Sequence, residues 1–150
     1  MTSFLGKLVR ILGSDGSPIS DANPLPVQVI GENMSYLTWC FHVPEALAAN
    51  LNLRWLIPVS CHVTHISAVA SNDSDATMTF GISTDTDSIL TSIAVGDSGV
   101  PVEFESGDWA VTNEEAALVN GQIAVLIVDY DGAAGTAATD LTIIITATVD

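Results

Sequence analysis

Short runs rich in Val, Ile and Thr, separated by turn-forming residues, constrain the fold of this chain more than any other feature of its sequence. β-Branched residues favour strands, whereas clusters of Gly, Asn, Asp and Ser favour turns. The chain contains roughly seven to nine such runs at near-regular spacing and no long helical pattern, which is typical of a β-sandwich, a jelly roll or a small barrel. The run QIAVLIVDY is apolar almost throughout, as expected of a strand that is buried on both faces.

The net charge of the chain is −15, and this charge is distributed unevenly. The two cations and two acidic residues of residues 1–31 cancel, so residues 32–150 carry the other 16 acidic residues against a single cation, Arg54. Phosphate groups and anionic membrane surfaces both attract clustered Lys and Arg. We therefore expect residues 32–150 to bind neither nucleic acid nor a membrane surface. No run approaches the roughly 18 apolar residues of a membrane-spanning helix.

Residues 1–31 differ in character from the rest of the chain. Pro24 and Pro26 alternate with apolar residues in the run PLPVQVI, and closely spaced prolines enforce extended geometry and exclude a helix. An apolar extended ribbon is expected to lie on a neighbouring surface. The sequence therefore predicts an extended N-terminal docking arm, residues 1–31, followed by a β-sandwich domain, residues 32–150. The predicted partner-binding residues of the arm are Leu25, Pro26, Val27, Val29 and Ile30.

No group of residues in the sequence indicates catalysis. There is no GxSxG motif and no glycine-rich phosphate loop before a helix, and the carboxylates of Glu114 and Glu115 splay apart because they are adjacent. His62 and His65 are three residues apart, so in a regular strand they face opposite ways and do not form one site with His42. We therefore expect no enzyme activity, no cofactor and no metal centre.

Three turns contain two aspartates separated by one residue, which is a pattern that can bind calcium. Two carboxylates from one loop can offer oxygen ligands to a hard cation, but none of the three turns matches an EF-hand loop. Aspartate is also an ordinary turn former, so turn formation is the preferred interpretation and calcium binding the alternative. The three pairs are Asp73 and Asp75, Asp85 and Asp87, and Asp129 and Asp131.

The two cysteines and the three tryptophans lie mostly in apolar, strand-like runs. Cys40 and Cys61 are expected to be buried free thiols, and a disulfide would need their Cα atoms within roughly 7 Å. Trp39, Trp55 and Trp109 are expected to fill the core or an oligomer interface. A sugar-binding groove lined by these tryptophans is the alternative.

The sequence also resembles a group of known proteins. The segment GSDGSPISDANPLPVQVI is similar to leader segments in structural proteins of tailed bacteriophages. The order LRWLIPVSCHVTHISAVAS, ATMTFGIST and GQIAVLIVDYDGAAGTAATDLTIIITATV resembles the small jelly-roll-like domains of phage virion proteins, which include head decoration (cement) proteins and fibre or tail modules. The resemblance implies a jelly-roll-like sandwich that forms trimers on the capsid surface and clamps neighbouring major capsid subunits, often through an extended arm.

The complete expectation is an all-β, jelly-roll-like β-sandwich with an extended N-terminal arm that works as a capsid decoration protein. Its expected partners are the major capsid protein and further copies of itself, in a trimer, on the surface of the virion. An acidic domain suits the outside of a shell packed with DNA, and a proline-stiffened arm loses little entropy when it binds. The alternative is a receptor- or carbohydrate-binding module of a fibre or tail, with or without a requirement for calcium.

Overall fold

The computed structural model describes residues 36–110 and 116–150. The described residues contain nine β-strands and no helix. The predicted arm, residues 1–31, lies outside the described residues, so the division into an arm and a domain stays a prediction. The strands are β1 (Tyr36–Ala46), β2 (Leu51–Leu56), β3 (Cys61–Val69), β4 (Thr77–Ile82), β5 (Asp85–Ala94), β6 (Val102–Phe104), β7 (Ala117–Leu118), β8 (Ile123–Asp129) and β9 (Thr139–Val149).

The strands form two antiparallel sheets that pack face to face. The first sheet has the order β1-β9-β3-β6, with the short strand β7 also paired to β3, and the second has the order β2-β8-β4-β5. Without β7, these are the two interleaved four-stranded sheets of a jelly roll, in which the first and last strands pair and the chain crosses repeatedly between sheets. The predicted all-β, jelly-roll-like sandwich is confirmed.

The core lies between the inner faces of the two sheets. In β1, the side chains of Leu37, Trp39 and Phe41 are buried while the residues between them are exposed, as expected of a strand with one face on a core. Among the described residues, no polar or charged residue is buried. The sheets are therefore held together by the burial of apolar surface, which is the dominant favourable term in folding.

The prediction that β8 is buried on both faces holds at its centre: its inner face is buried throughout, whereas on its outer face Val125 is buried and Ile123 and Ile127 are half-buried. Its inner side chains include Leu126, and Val125 points to the opposite face but is also fully buried. Val125 pairs with Gly81 of β4, where the chain comes so close that a Cβ atom would lie 2.3 Å from the backbone oxygen of Asp85.

Aromatic side chains join the two sheets next to the edge formed by β1 and β2. The ring of Trp55 on β2 lies 5.8 Å from Trp39 and 5.1 Å from Phe41, both on β1, and stacks on Phe80 of β4 at 5.8 Å. Such contacts add to the energy of burial itself. The indole Nε1 of Trp55 is buried and has no hydrogen-bond partner among the described residues.

We predict that Phe80→Ala lowers the free energy of unfolding by about 3–5 kcal/mol, because it removes a fully buried ring and leaves a cavity. Denaturant unfolding measures the change. The control is Thr91→Ala on the exposed face of β5, which should stay within about 0.5 kcal/mol of the wild type. Equal stability of the two variants would contradict the packing described here.

Candidate functional site

The predicted partner-binding residues Leu25, Pro26, Val27, Val29 and Ile30 lie outside the described residues, so the structure does not place them. It does show where the N-terminal segment joins the sandwich. The described chain begins at Tyr36, the first residue of β1, and β1 is an edge strand of the first sheet. The segment therefore leads directly into the edge of this sheet, and the surfaces around that edge are the candidate binding surfaces.

The outer face of β1, β9 and β3 has no charged side chain over four rows of cross-strand neighbours, if histidine is counted as neutral. We call this surface the uncharged face. In a chain with a net charge of −15, it is a region where another protein can approach without charge repulsion. The rows of the uncharged face are Tyr36–Thr148–His62, Thr38–Thr146–His65, Cys40–Ile144–Ser67 and His42–Thr142–Val69.

Acidic side chains lie around the uncharged face rather than within it. Glu103 of β6 pairs with Ser67 at one side, and Asp140 and Asp150 lie at the two ends of β9. This surface was not predicted from the sequence. A signal for it exists in the alternation of threonine with buried residues in LTIIITATV and in the exposed positions of YLTWCFH.

All three histidines of the chain project from the uncharged face, and the expectation that His62 and His65 face opposite ways is wrong. A register shift between Val63 and His65 inserts one extra residue into β3, so His62 pairs with Thr148 and His65 with Thr146. Two residues separated by two positions on β9 point to the same side of the sheet. The β-bulge therefore brings the side chains of His62 and His65 to one face.

Each histidine has its own neighbour on this face. His42 Nδ1 lies 2.9 Å from Thr142 Oγ1, His62 Nδ1 contacts a carboxylate oxygen of Asp150, and His65 Nδ1 lies 3.9 Å from Glu105 Oε1. The three rings are thus spread over the surface. Within residues 36–110 and 116–150, no group of three or more His, Cys, Asp or Glu side chains is placed to hold a metal ion.

Two of the three aspartate pairs come together at one end of the sandwich. The loop after β3 carries Asp75, whose Oδ2 accepts a hydrogen bond from the backbone N–H of Thr136 at 2.6 Å, and the Asp75 N–H donates to the Thr136 carbonyl at 2.9 Å.

The hydrogen bond from Tyr130 to Asp131 raises the pKa of Tyr130, and the charges of Asp131 and Asp129 raise it further.

The third aspartate pair lies at the other end of the sandwich. Asp85 is the first residue of β5 and pairs with Ile82, at the end of β4 that is remote from Asp75. At the end that carries Asp75 and Asp131, which we call the acidic end, other aspartates also bond to the backbone. Asp97 accepts a hydrogen bond from the N–H of Ser74 at 3.1 Å, and Asp140 accepts one from the N–H of Glu45 at 2.8 Å. These contacts support the interpretation of aspartates as turn formers.

The two cysteines lie on opposite faces of the first sheet. Cys61 of β3 is fully buried in the core, whereas Cys40 of β1 is exposed on the uncharged face, so the expectation of two buried thiols is wrong for Cys40. Both thiols are free, and β9 lies between their strands. Burial raises the pKa of Cys61 from 9.0 to about 11, and the charge of Asp150 adds to this effect.

The tryptophans occupy the core, as one of the two sequence interpretations predicts. Trp39 and Trp109 are buried, and Trp55 is partly buried against Phe80. None of the three rings forms an exposed platform of the kind that stacks on a sugar.

Comparison with known proteins finds no match. No family model matches the chain, and neither a curated protein nor a solved structure does so. None of the residues in the described part of the chain belongs to a helix long and apolar enough to cross a membrane.

We predict that Gly132→Ala lowers the free energy of unfolding by about 1–3 kcal/mol. Gly132 has a φ of +55°, and a Cβ atom there would lie 2.1 Å from the backbone oxygen of Asp75. The control is Gly107→Ala, where a Cβ atom would meet nothing within 4 Å. Urea denaturation compares the two variants, and an equal effect of both would show that the loops at the acidic end are not packed as described.

We predict that a thiol reagent labels one cysteine per folded chain near neutral pH and two in denaturant. Cys40 is exposed, whereas Cys61 is buried and its pKa is raised to about 11. The same shift predicts that the contribution of Cys61 to stability is complete below pH 9.0 and is lost as the pH rises through about 11. Mass spectrometry identifies the labelled residue, and labelling of Cys61 in the folded chain would contradict its burial.

Proposed function

We propose that this chain is a structural protein of a tailed-bacteriophage virion, a capsid decoration (cement) protein that acts by binding and assembly and not by catalysis. It binds the outer surface of the shell of major capsid protein and stabilises it through the arm, residues 1–31, and through contacts between copies of itself in a trimer. The observation that carries the proposal is the uncharged face on a strongly acidic domain.

The distribution of charge supports assembly through the uncharged face. Two domains that each carry many acidic residues repel each other wherever these residues meet. Contact through a surface without charges avoids this cost, and tyrosine, threonine and histidine side chains there offer both apolar area and hydrogen bonds. The acidic residues around this face remain in solvent, where they keep the outside of a virion soluble.

The sequence of the arm supports a docking role. Leu25, Pro26, Val27, Val29 and Ile30 present apolar side chains on a chain that proline holds extended. If the arm buries several hundred Å² at about 25 cal/mol per Å², it contributes several kcal/mol per copy before the entropy of ordering is subtracted. In the proposed mechanism, this buried area joins neighbouring capsid subunits and resists the internal pressure of packed DNA.

The proposal does not extend to a receptor- or carbohydrate-binding module. That alternative needs an exposed aromatic ring beside an acidic loop, and Trp39, Trp55 and Trp109 are buried or partly buried. Tyr130, between Asp129 and Asp131, is partly buried against the core, and the exposed Tyr36 belongs to the uncharged face. The acidic loops use several of their carboxylates to bind backbone N–H groups. No described feature favours this second function over assembly.

We predict that the full-length chain cosediments with empty shells of the major capsid protein of the same virus, and that Thr38→Asp weakens this binding at least about tenfold, or 1.4 kcal/mol. Thr38 is exposed on the uncharged face, so the variant places a charge within the contact. The matched control is Asn52→Asp, which adds the same charge to an exposed position on the edge strand β2 of the other sheet and should bind like the wild type.

Removal of residues 1–31 should abolish cosedimentation and leave a folded sandwich that unfolds in one cooperative transition in denaturant. Unchanged binding after this removal would contradict a docking role of the arm. Equal weakening by Thr38→Asp and Asn52→Asp would contradict the role of the uncharged face, and a wild-type chain that stays in the supernatant would contradict the proposed function.

A further inference from the structure

The outer edge of β1 is long and lacks the features with which proteins block strand addition. From Tyr36 to Val43, β1 pairs residue for residue with β9, and no described strand pairs with its other side. This stretch contains no charged residue, no proline and no bulge, which are the usual means of protecting an edge. Pro44 and Glu45 follow only after it.

The other three sheet edges carry such features. β6 has three residues and contains Glu103. β5 contains Asp85 and Asp87 and has two register shifts against β4. β2 has six residues and carries Arg54 on its exposed side. An additional strand is therefore expected at β1 and not at the other edges.

The hydrogen bonds of β9 show which residues of β1 face the free edge. The N–H of Asp150 donates to the carbonyl of Ser60 at 3.3 Å, and these residues are opposite each other in the β3–β9 register. Bonded pairs alternate along antiparallel strands, so the even-numbered residues of β9 from Thr142 to Thr148 bond to β3 and the odd-numbered ones to β1. The residues of β1 that direct their N–H and C=O groups to the free edge are therefore those of the uncharged face: Tyr36, Thr38, Cys40 and His42.

The sequence of the arm is suited to pairing with such an edge through one side of an extended strand. Pro24 and Pro26 are two residues apart, so in a strand their missing N–H groups point the same way. Leu25, Val27 and Val29 direct their N–H groups the opposite way. A strand of residues 24–30 can thus bond to a sheet through its odd-numbered residues, while the backbone nitrogens of its prolines lie along the new outer edge and block any further strand.

The length of the chain before β1 allows this strand to come from the same molecule. If Val27 pairs with Cys40, residue 31 pairs with Tyr36, and residues 32–35 form a four-residue hairpin loop. Hairpin loops of two to about five residues are the most common. A strand from the same chain also needs no second molecule, because its effective concentration at the edge is high.

We propose that residues 24–30 pair antiparallel with β1 of the same chain as an additional strand of the first sheet. This strand bonds to β1 through Leu25, Val27 and Val29, and Pro24 and Pro26 prevent a further strand from pairing with its other side. This strand places the side chains of Leu25, Val27 and Val29 on the uncharged face, because residues that pair directly share a face of the sheet. Their contact with a capsid shell rests on the proposed function, and residues 1–23 then form the part of the arm that extends beyond the sandwich.

One further feature of the sandwich supports this placement. Gln28 would lie opposite Trp39, whose ring is 5.8 Å from that of Trp55. The Nε1 of Trp55 is buried without a hydrogen-bond partner among the described residues, and buried donors of this kind normally have one. The side-chain amide of Gln28 carries an oxygen that can accept this bond.

Disulfide trapping with the native Cys40 in the full-length chain tests the pairing. Cys40 is exposed on the edge strand, and Cys61 is buried on the other face. We expect Val27→Cys, directly opposite Cys40, to form an intramolecular disulfide with it under mild oxidation, with the mass of a single chain on a non-reducing gel. Leu25→Cys, two residues further along the strand, should form this disulfide less readily. Gln28→Cys should not form it, because its side chain points to the opposite face.

Three results would overturn the inference. Disulfide-linked dimers would show that the strand comes from a second copy. Equal trapping of all three variants would show random contact, and no trapping of any variant would show that this segment does not reach the edge. Shell cosedimentation is a separate readout: shell binding without the disulfide contradicts only the strand pairing, and the disulfide without shell binding contradicts only the proposed function.

Discussion

The structure depends on the packing of two apolar sheet faces against each other. Among the described residues no polar or charged residue is buried, so no buried ion pair or polar network orients the sheets, and burial of apolar surface is itself non-directional. The order of the strands and their hydrogen-bonded register must fix the arrangement. Trp55 helps to fix how the two sheets lie against each other, because its ring contacts β1 in one sheet and Phe80 in the other.

Within residues 36–110 and 116–150, every charged side chain is therefore at least partly exposed, and the distribution of these charges over the surface bears on function. The acidic residues lie in the end loops and around the first sheet, and several bind backbone N–H groups that would otherwise lack partners in the turns. The outer rows of β1, β9 and β3 are free of them. The proposed assembly function follows from this separation and from the apolar arm.

The sequence predicts those parts of the structure that depend on local patterns. Alternation in β1 and the continuous apolar run of β8 follow from how many faces of each strand are covered, and side-chain type reports this directly. That His62 and His65 share one face could not be predicted from the sequence. The extra residue in β3 reverses the side to which every later side chain of the strand points, and no residue type marks its position. The exposure of Cys40 depends on β1 being an edge strand, which is a property of topology.

In the proposed arrangement, the segment that precedes β1 covers the long edge of this strand in the full-length protein. Amide hydrogen exchange in the full-length protein tests this most directly, because β1 contains its own controls. The N–H groups of Leu37 and Trp39 bond to β9, whereas those of Thr38 and Cys40 point to the edge. We expect the amide hydrogens of Thr38 and Cys40 to exchange as slowly as those of Leu37 and Trp39. Fast exchange at Thr38 and Cys40, next to slow exchange at the other two, would contradict it.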